Sequence, residues 1–298
     1  MDRLSFAKKV VSVIVILLII FFFGKQIYYS FDGLKAFNWD INYVYLLIAF
    51  LIFGLHLLSN VIQYYFTLRH MGLKVSMKDV AKARTVSDLA SYVPGKMLLF
   101  IMRMKYLKHE MTRLQVAAST TFELLLTISS VSVLFIINLL FGGREFGAYG
   151  YLFYLVIPLC FIIVHPKVTS FFVNIVMRFL KKEPVKIGLK YGSVMMLMPF
   201  YMISWFLIGL SAFFVVTSVY PISFSLIPQV MVYYGIAWGV GLMAVVVPSG
   251  IGVREGILAY MLSFYIPTSF AVIAAFLSRI VLMAAQLVAA WVSLKLKA

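Results

Sequence analysis

The chain has 298 residues, 63% hydrophobic and 12% charged, with a mean hydropathy of +1.02, whereas soluble domains average about 45–50% apolar and about 25% charged. That excludes a soluble globular protein and describes a polytopic membrane protein. The net charge of +16 lies in short loops between apolar runs, which marks membrane topology rather than nucleic-acid binding, and a single cysteine, Cys160, excludes an internal disulfide.

The N-terminus carries Arg3, Lys8 and Lys9 and is expected in the cytoplasm. The first apolar run has no small-residue cleavage site after it and reads as a retained span at about 10–29. Span 2, at about 41–67, returns to the basic stretch Arg69, Lys74, Lys78, Lys82, Arg84. The short segment "LASYVPGKMLLFIM" follows, and beyond it come Arg103, Lys105, Lys108 and Arg113. With both flanks basic, this segment is expected to enter the membrane and return on the same side, turning at Pro94-Gly95.

The run 114–141 then crosses outward and "GGREFG" forms an outside turn. A fourth span at about 149–164 leads to a basic connection, where "VTSFFVNIVMRFL" reads as a helix lying in the interface. Span 5, at about 194–220, precedes a second broken segment at about 229–265, "AVVVPSGIGVREGILAY" at its centre. Span 6, at about 270–294, ends at Lys295 and Lys297 inside. The expected fold is an all-α bundle in one membrane domain, residues 1–298. It has six full spans and two Pro-Gly-broken re-entrant hairpins, with both termini cytoplasmic.

The halves resemble each other. "YVPG" at 92–95 echoes "VVPSG" at 246–250, and "TRLQVAASTTFELLL" from Thr112 aligns without a gap with "TSFAVIAAFLSRIVL" from Thr268. Repeat A runs from about 41 to 141 and repeat B from about 194 to 294, with span 4 and the interfacial helix (about 149–190) between. Because the first starts outside and the second inside, the repeats are expected to be inverted, as in many secondary transporters.

Charge at the bilayer centre costs roughly 2.5–3.5 kcal/mol on insertion scales, so buried charges demand a reason. Glu123 and Arg279 fall opposite one another in the aligned repeats. They read either as an ion pair that pins the halves or as walls of a polar cavity. Arg254 and Glu255 read either as an interfacial pair or as part of an anion site. On the second reading Pro248, Gly250 and Gly252 break the helix so that its N-terminus and Arg254 face a ligand. Lys96 after Pro94-Gly95 repeats the arrangement. Arg84 with Asp88 reads as an interface-exposed pair, and Arg103 and Lys105 read as cytoplasmic anchors, with the mouth of a lipid pathway as the other reading. His56 reads as a hydrogen-bonded packing residue, with a proton relay as the other reading. No hydrolase, metalloprotease, nucleotide or metal motif occurs, so neither a cofactor nor a metal site is expected.

At "VVVPSGIGVREG", "SYVPGKMLLFIMR" and "AASTTFELLL" the chain resembles the lysylphosphatidylglycerol synthase transmembrane-region family, flippase-like proteins found alone or fused to a transferase. The resemblance implies lipid translocation or handling of lipid-linked intermediates. It places Pro248, Gly250, Gly252, Arg254 and Glu255 in the family signature, with Pro94, Gly95, Glu123 and Arg279 at other recurrent positions. The chain ends at Ala298 after its last span, so lysyl transfer is not expected.

The first expectation is a cell-membrane flippase for an anionic phospholipid or polyprenyl-phosphate lipid, binding through Arg254, Arg279, Lys96, Glu255, Glu123, Gly250 and Gly252, with Pro94, Gly95 and Pro248 as hinges. The alternatives are an embedded enzyme or accessory subunit acting on a lipid headgroup or lipid-linked glycan, and a scaffold with glycan-assembly partners. A homo-oligomer is compatible with each.

Overall fold

A computed structural model describes residues 41–92, 97–141, 155–179, 191–244 and 250–296, all helices and connections. Span 1, Pro94, Gly95, Lys96 and Pro248 lie outside the described residues. Five of the described segments are long and apolar enough to cross a membrane: Tyr43–His70, Arg113–Phe141, Tyr191–Val219, Phe224–Met243 and Thr268–Lys295. The chain is therefore a multi-pass, all-α membrane protein in these regions.

Helix α1, Tyr43–His70, starts where the Asn42 side chain accepts the Val44 and Tyr45 N–H groups. Its first half is apolar all round, while His56, Asn60, Gln63 and Thr67 place a polar row on one face of its second half. Leu47, Leu51, Leu55 and Leu58 point outward, while Ala49, Phe53, Leu57, Asn60 and Tyr64 are buried. Helix α2, Met77–Ala90, is capped by Ser76, and α3 spans Met97–Leu107. At 1.5 Å per residue these are about 21 and 17 Å long, each short of a roughly 30 Å hydrocarbon core. The backbone N–H of Ser76 donates to Glu110 Oε1 (3.0 Å), tying the loop before α2 to the loop after α3.

Thr112 and Gln115 form a capping box that starts α4, Arg113–Ser130, which continues as α5, Ser132–Phe141. Helices α6, Val156–Val164, and α7, Pro166–Phe179, follow. Phe171, Phe172 and Ile175 of α7 are exposed, as expected of a helix at an interface. Helix α8 is Tyr191–Val219, α9 is Ile227–Met243, α10 is Val253–Leu262 and α11 is Thr268–Lys295.

Among the described residues, α2 and α3 lie between the long helices α1 and α4, and α9 and α10 lie between α8 and α11. The long first helices, α1 and α8, pack antiparallel along their length. Asn42 N–H donates to Ser218 O (2.9 Å) at one end, Ser211 Oγ to Ala49 O (2.6 Å) within, and Thr67 Oγ1 meets Tyr201 Oη (2.8 Å) near the other end. The broken helices cross over to the opposite half. Helix α2 lies on α11, with Thr85 Oγ1 2.7 Å from Ser293 Oγ and Tyr92 Oη donating to Gln286 Oε1 (2.8 Å). Helix α9 lies on α5, where a Cβ at Gly235 would come within 2.8 Å of Leu134.

One expectation needs correction. The basic stretch before Pro94 is not all loop: from Met77 it is helix α2, and one face of that helix turns inward. In the second broken segment, expected as a re-entrant hairpin, the first arm, Phe224–Met243, has the length to cross alone.

Candidate functional site

Arg84, Ser87, Asp88 and Ser91 fall at positions i, i+3, i+4 and i+7 of α2, one helical face. Arg84 pairs with Asp88 on its own helix, and its Nε lies 3.0 Å from Glu123 Oε1 on α4. From α3, Arg103 pairs with the other oxygen of Glu123 and donates to Thr120 Oγ1 (3.1 Å) and Ser87 Oγ (3.2 Å). Its guanidinium also stacks 4.5 Å above the Tyr64 ring. Glu123 is 4% and Arg103 2% exposed. Arg103 is therefore no anchor at the cytoplasmic face, and Arg84 with Asp88 is no exposed pair. A carboxylate buried on α4 needs cations, and these two arginines are within reach.

The second half builds its charges differently. Gly250 and Gly252 take φ of +65° and +84°, a region costly for any residue with a Cβ. At Gly250 a Cβ would sit 2.7 Å from Gly241 O, so the end of α9 and this turn meet backbone to backbone. Gly252 is the N-cap of α10, and its N–H donates to Glu255 Oε2 (2.5 Å). Glu255 also faces Arg279 of α11, 3.7 Å away, and the Arg279 guanidinium lies 4.8 Å from the centre of the Tyr92 ring. Arg254, in the first turn of α10, lies 4.3 Å from the centre of the Tyr234 ring. Glu123 and Arg279, placed opposite one another by the repeat, thus take separate partners, because each half supplies a nearer opposite charge.

Between these clusters lies a cavity of about 430 Å³. Arg84, Asp88, Arg103, Glu123 and Arg254 line it with Thr120, Thr121 and Thr127, against apolar walls that include Phe100 and Trp238. Three guanidiniums face two carboxylates, leaving one positive charge in excess. Arginines of both halves meet here. Of the residues expected at the site, Arg254 and Glu123 line the cavity. Gly250 and Gly252 shape the turn that aims Arg254, and Glu255 with Arg279 stands as a second ion pair at α10.

A second cavity of about 100 Å³ adjoins the first, sharing Arg84, Thr127 and Trp238. His56, Asn60, Gln63, Tyr201 and Ser204 line it. His56 Nδ1 is 2.9 Å from Ser204 O, Asn60 Nδ2 is 3.0 Å from His56 Nε2, and Gln63 Nε2 donates to Asn60 Oδ1.

Residues 9–290 match the family described as Lysylphosphatidylglycerol synthase TM region. The chain belongs to that family. It is thereby an integral membrane protein of a family concerned with lipid handling. Comparison with curated proteins finds no match. In this family member, sequence reasoning missed the inward roles of Arg84 and Arg103. The i, i+3, i+4, i+7 run of Arg84, Ser87, Asp88 and Ser91 was the available signal, since a polar face on a helix next to a membrane break calls for a polar partner.

Proposed function

We propose that the protein moves an anionic lipid between the leaflets of the cell membrane, with the headgroup phosphate lodged in the 430 Å³ cavity. The observation that carries this reading is the cavity's lining: arginines from both halves, three against two carboxylates, enclosed by a bundle whose long helices are apolar enough to span. An excess guanidinium in a low-dielectric site has a strong demand for an anion, and arginine matches phosphate geometry. Arg254 is the chief phosphate ligand, because Glu123 is divided between Arg84 and Arg103 while Arg254 rests on an aromatic face. Glu255 and Arg279 brace α10 so that Arg254 stays aimed. The acyl or polyprenyl tail remains in the bilayer. The antiparallel packing of α1 on α8 and the shared element order support an inverted repeat, whose halves alternate the cavity's access.

Removing one charge-assisted bond to phosphate costs roughly 1.5–3 kcal/mol, or about tenfold to a hundredfold. Arg254→Ala should therefore slow translocation of a labelled anionic phospholipid in reconstituted vesicles by that factor while leaving the thermal unfolding temperature close to wild type. Undiminished transport by the variant would remove the site assignment. Mass spectrometry of the same vesicles separates the other class of function, since an embedded enzyme alters the lipid's mass whereas a flippase changes only its sidedness.

A further inference from the structure

Beside the anion cavity, the hydrogen bonds of three polar residues on α1 run in one direction. Nδ1 of His56 lies 2.9 Å from both Ser204 O and Ser204 Oγ; the carbonyl can only accept and the hydroxyl donates to Asn60, so Nδ1 carries the hydrogen and Nε2 accepts from the Asn60 amide (3.0 Å). Asn60 Oδ1 in turn accepts from Gln63 Nε2 and from Ser204 Oγ (2.9 Å). The chain ends at Gln63 Oε1, a buried acceptor with no hydrogen-bond partner, on a residue 2% exposed that lines the 100 Å³ cavity. Orphaned buried acceptors cost free energy, so this one calls for a function.

Every donor and acceptor of a neutral imidazole is used here. If a proton binds at Nε2, that nitrogen becomes a donor and the Asn60 amide must turn its oxygen to it. Asn60 Nδ2 then donates to Gln63, whose amide turns in the same sense, and the Ser204 hydroxyl, which had donated to Asn60 Oδ1, rotates so that its oxygen accepts. The orphan acceptor at the cavity is replaced by an N–H donor. Both states use the same heavy-atom frame, since an amide turn only exchanges O and N. Gln63 lines the smaller cavity, which shares Arg84 with the anion cavity, and there an acceptor dipole opposes nearby negative charge whereas a donor favours it.

We propose that His56 is a proton-binding site linked to the anion cavity through Asn60 and Gln63, so that the anionic lipid travels with a proton. The inference rests on the transport reading above. The ionisable groups around His56 are Arg84 on α2 and Tyr201 on α8 in the same cavity, Glu123 on α4 against Arg84, and Arg254 on α10 in the adjoining cavity. Arg279 on α11 is turned to Glu255. Two nearby guanidiniums oppose an imidazolium, and an anion that neutralises them favours it. By reciprocity, a bound proton tightens the anion by the same factor as a bound anion tightens the proton.

The test is calorimetric titration of short-chain phosphatidylglycerol, whose phosphodiester stays ionised near neutrality, into the full chain in nanodiscs of zwitterionic lipid. Two buffers of different ionisation enthalpy report the protons exchanged. Wild type is expected to take up close to one proton per lipid, with affinity rising by up to about tenfold for each pH unit lowered across the linked range. His56→Gln should bind with no proton uptake. Gln63→Met, which keeps the side chain's length and removes the amide, should bind more weakly, also without uptake. Binding by wild type without proton exchange, or full uptake by His56→Gln, overturns the linkage and leaves the anion cavity standing. Full uptake by Gln63→Met overturns the amide chain. Absence of binding by wild type overturns the inference together with the transport reading, which the Arg254→Ala measurement tests separately.

Discussion

Glu123 holds two arginines at once, one on each oxygen, and with them three helices: α2 through Arg84, α3 through Arg103 and α4 through its own backbone. Removing one partner of a buried ion network is far costlier than the network's net stabilisation, because the remaining charges stay desolvated. Glu123→Gln should therefore lower stability by about 3–5 kcal/mol, read as a marked fall in unfolding temperature in detergent. The carboxylate itself was legible in the sequence, as the lone acid in an apolar run. Its partners were not. Arg84 and Arg103 sit among basic residues of the kind that set topology, and charge counting cannot separate an arginine in the headgroups from one turned inward by helix rotation. Arg254 was legible because the glycines before it dictate a break, and a residue in the first turn after a break faces whatever the break opens.

At the scale of elements, the turn 250–252 decides where α10 begins. Gly72 and Gly250 both have positive φ, but a Cβ at Gly72 meets open space whereas one at Gly250 meets the backbone of Gly241. Gly72→Ala should cost only the left-handed penalty of about 1–2 kcal/mol. Gly250→Ala should cost more, and should also slow lipid translocation, since the clash displaces the end of α9 from α10 and with it Arg254. Comparing unfolding temperatures and transport rates of the two variants checks both statements. The turn at Gly250 and Gly252 was readable from its glycines, but the length of the helix before it was not. A helix such as α2, rich in Lys and Asp, reads as loop in a hydropathy profile, while α9 reads as part of a hairpin because no basic loop precedes it.

On the scale of the whole molecule, the long helices at Tyr43–His70, Arg113–Phe141, Tyr191–Val219 and Thr268–Lys295 and the antiparallel relation of α1 and α8 follow from the apolar runs and their flanking charges. The packing of each broken pair on the opposite half does not, because hydropathy says which residues are buried but not against what. The orientation can be read by labelling. In a chain with Cys160 replaced, single cysteines at Lys78 and Lys295 should react with an impermeant thiol reagent from one face of the membrane, and one at Ser223 from the other, with Lys78 and Lys295 on the cytoplasmic side. Reaction of Lys78→Cys and Lys295→Cys from opposite faces would overturn the topology.

The link between α2 and α11, made by Thr85 with Ser293 and Tyr92 with Gln286, bears on how such a molecule could switch. It fastens a helix from the first part of the chain to the closing helix, so on the proposed repeat the seam of any rigid-body movement does not follow the boundary between the halves. What swings is of mixed parentage. An exit for a lipid tail would then open sideways, between interleaved blocks, rather than down the middle like the covers of a book.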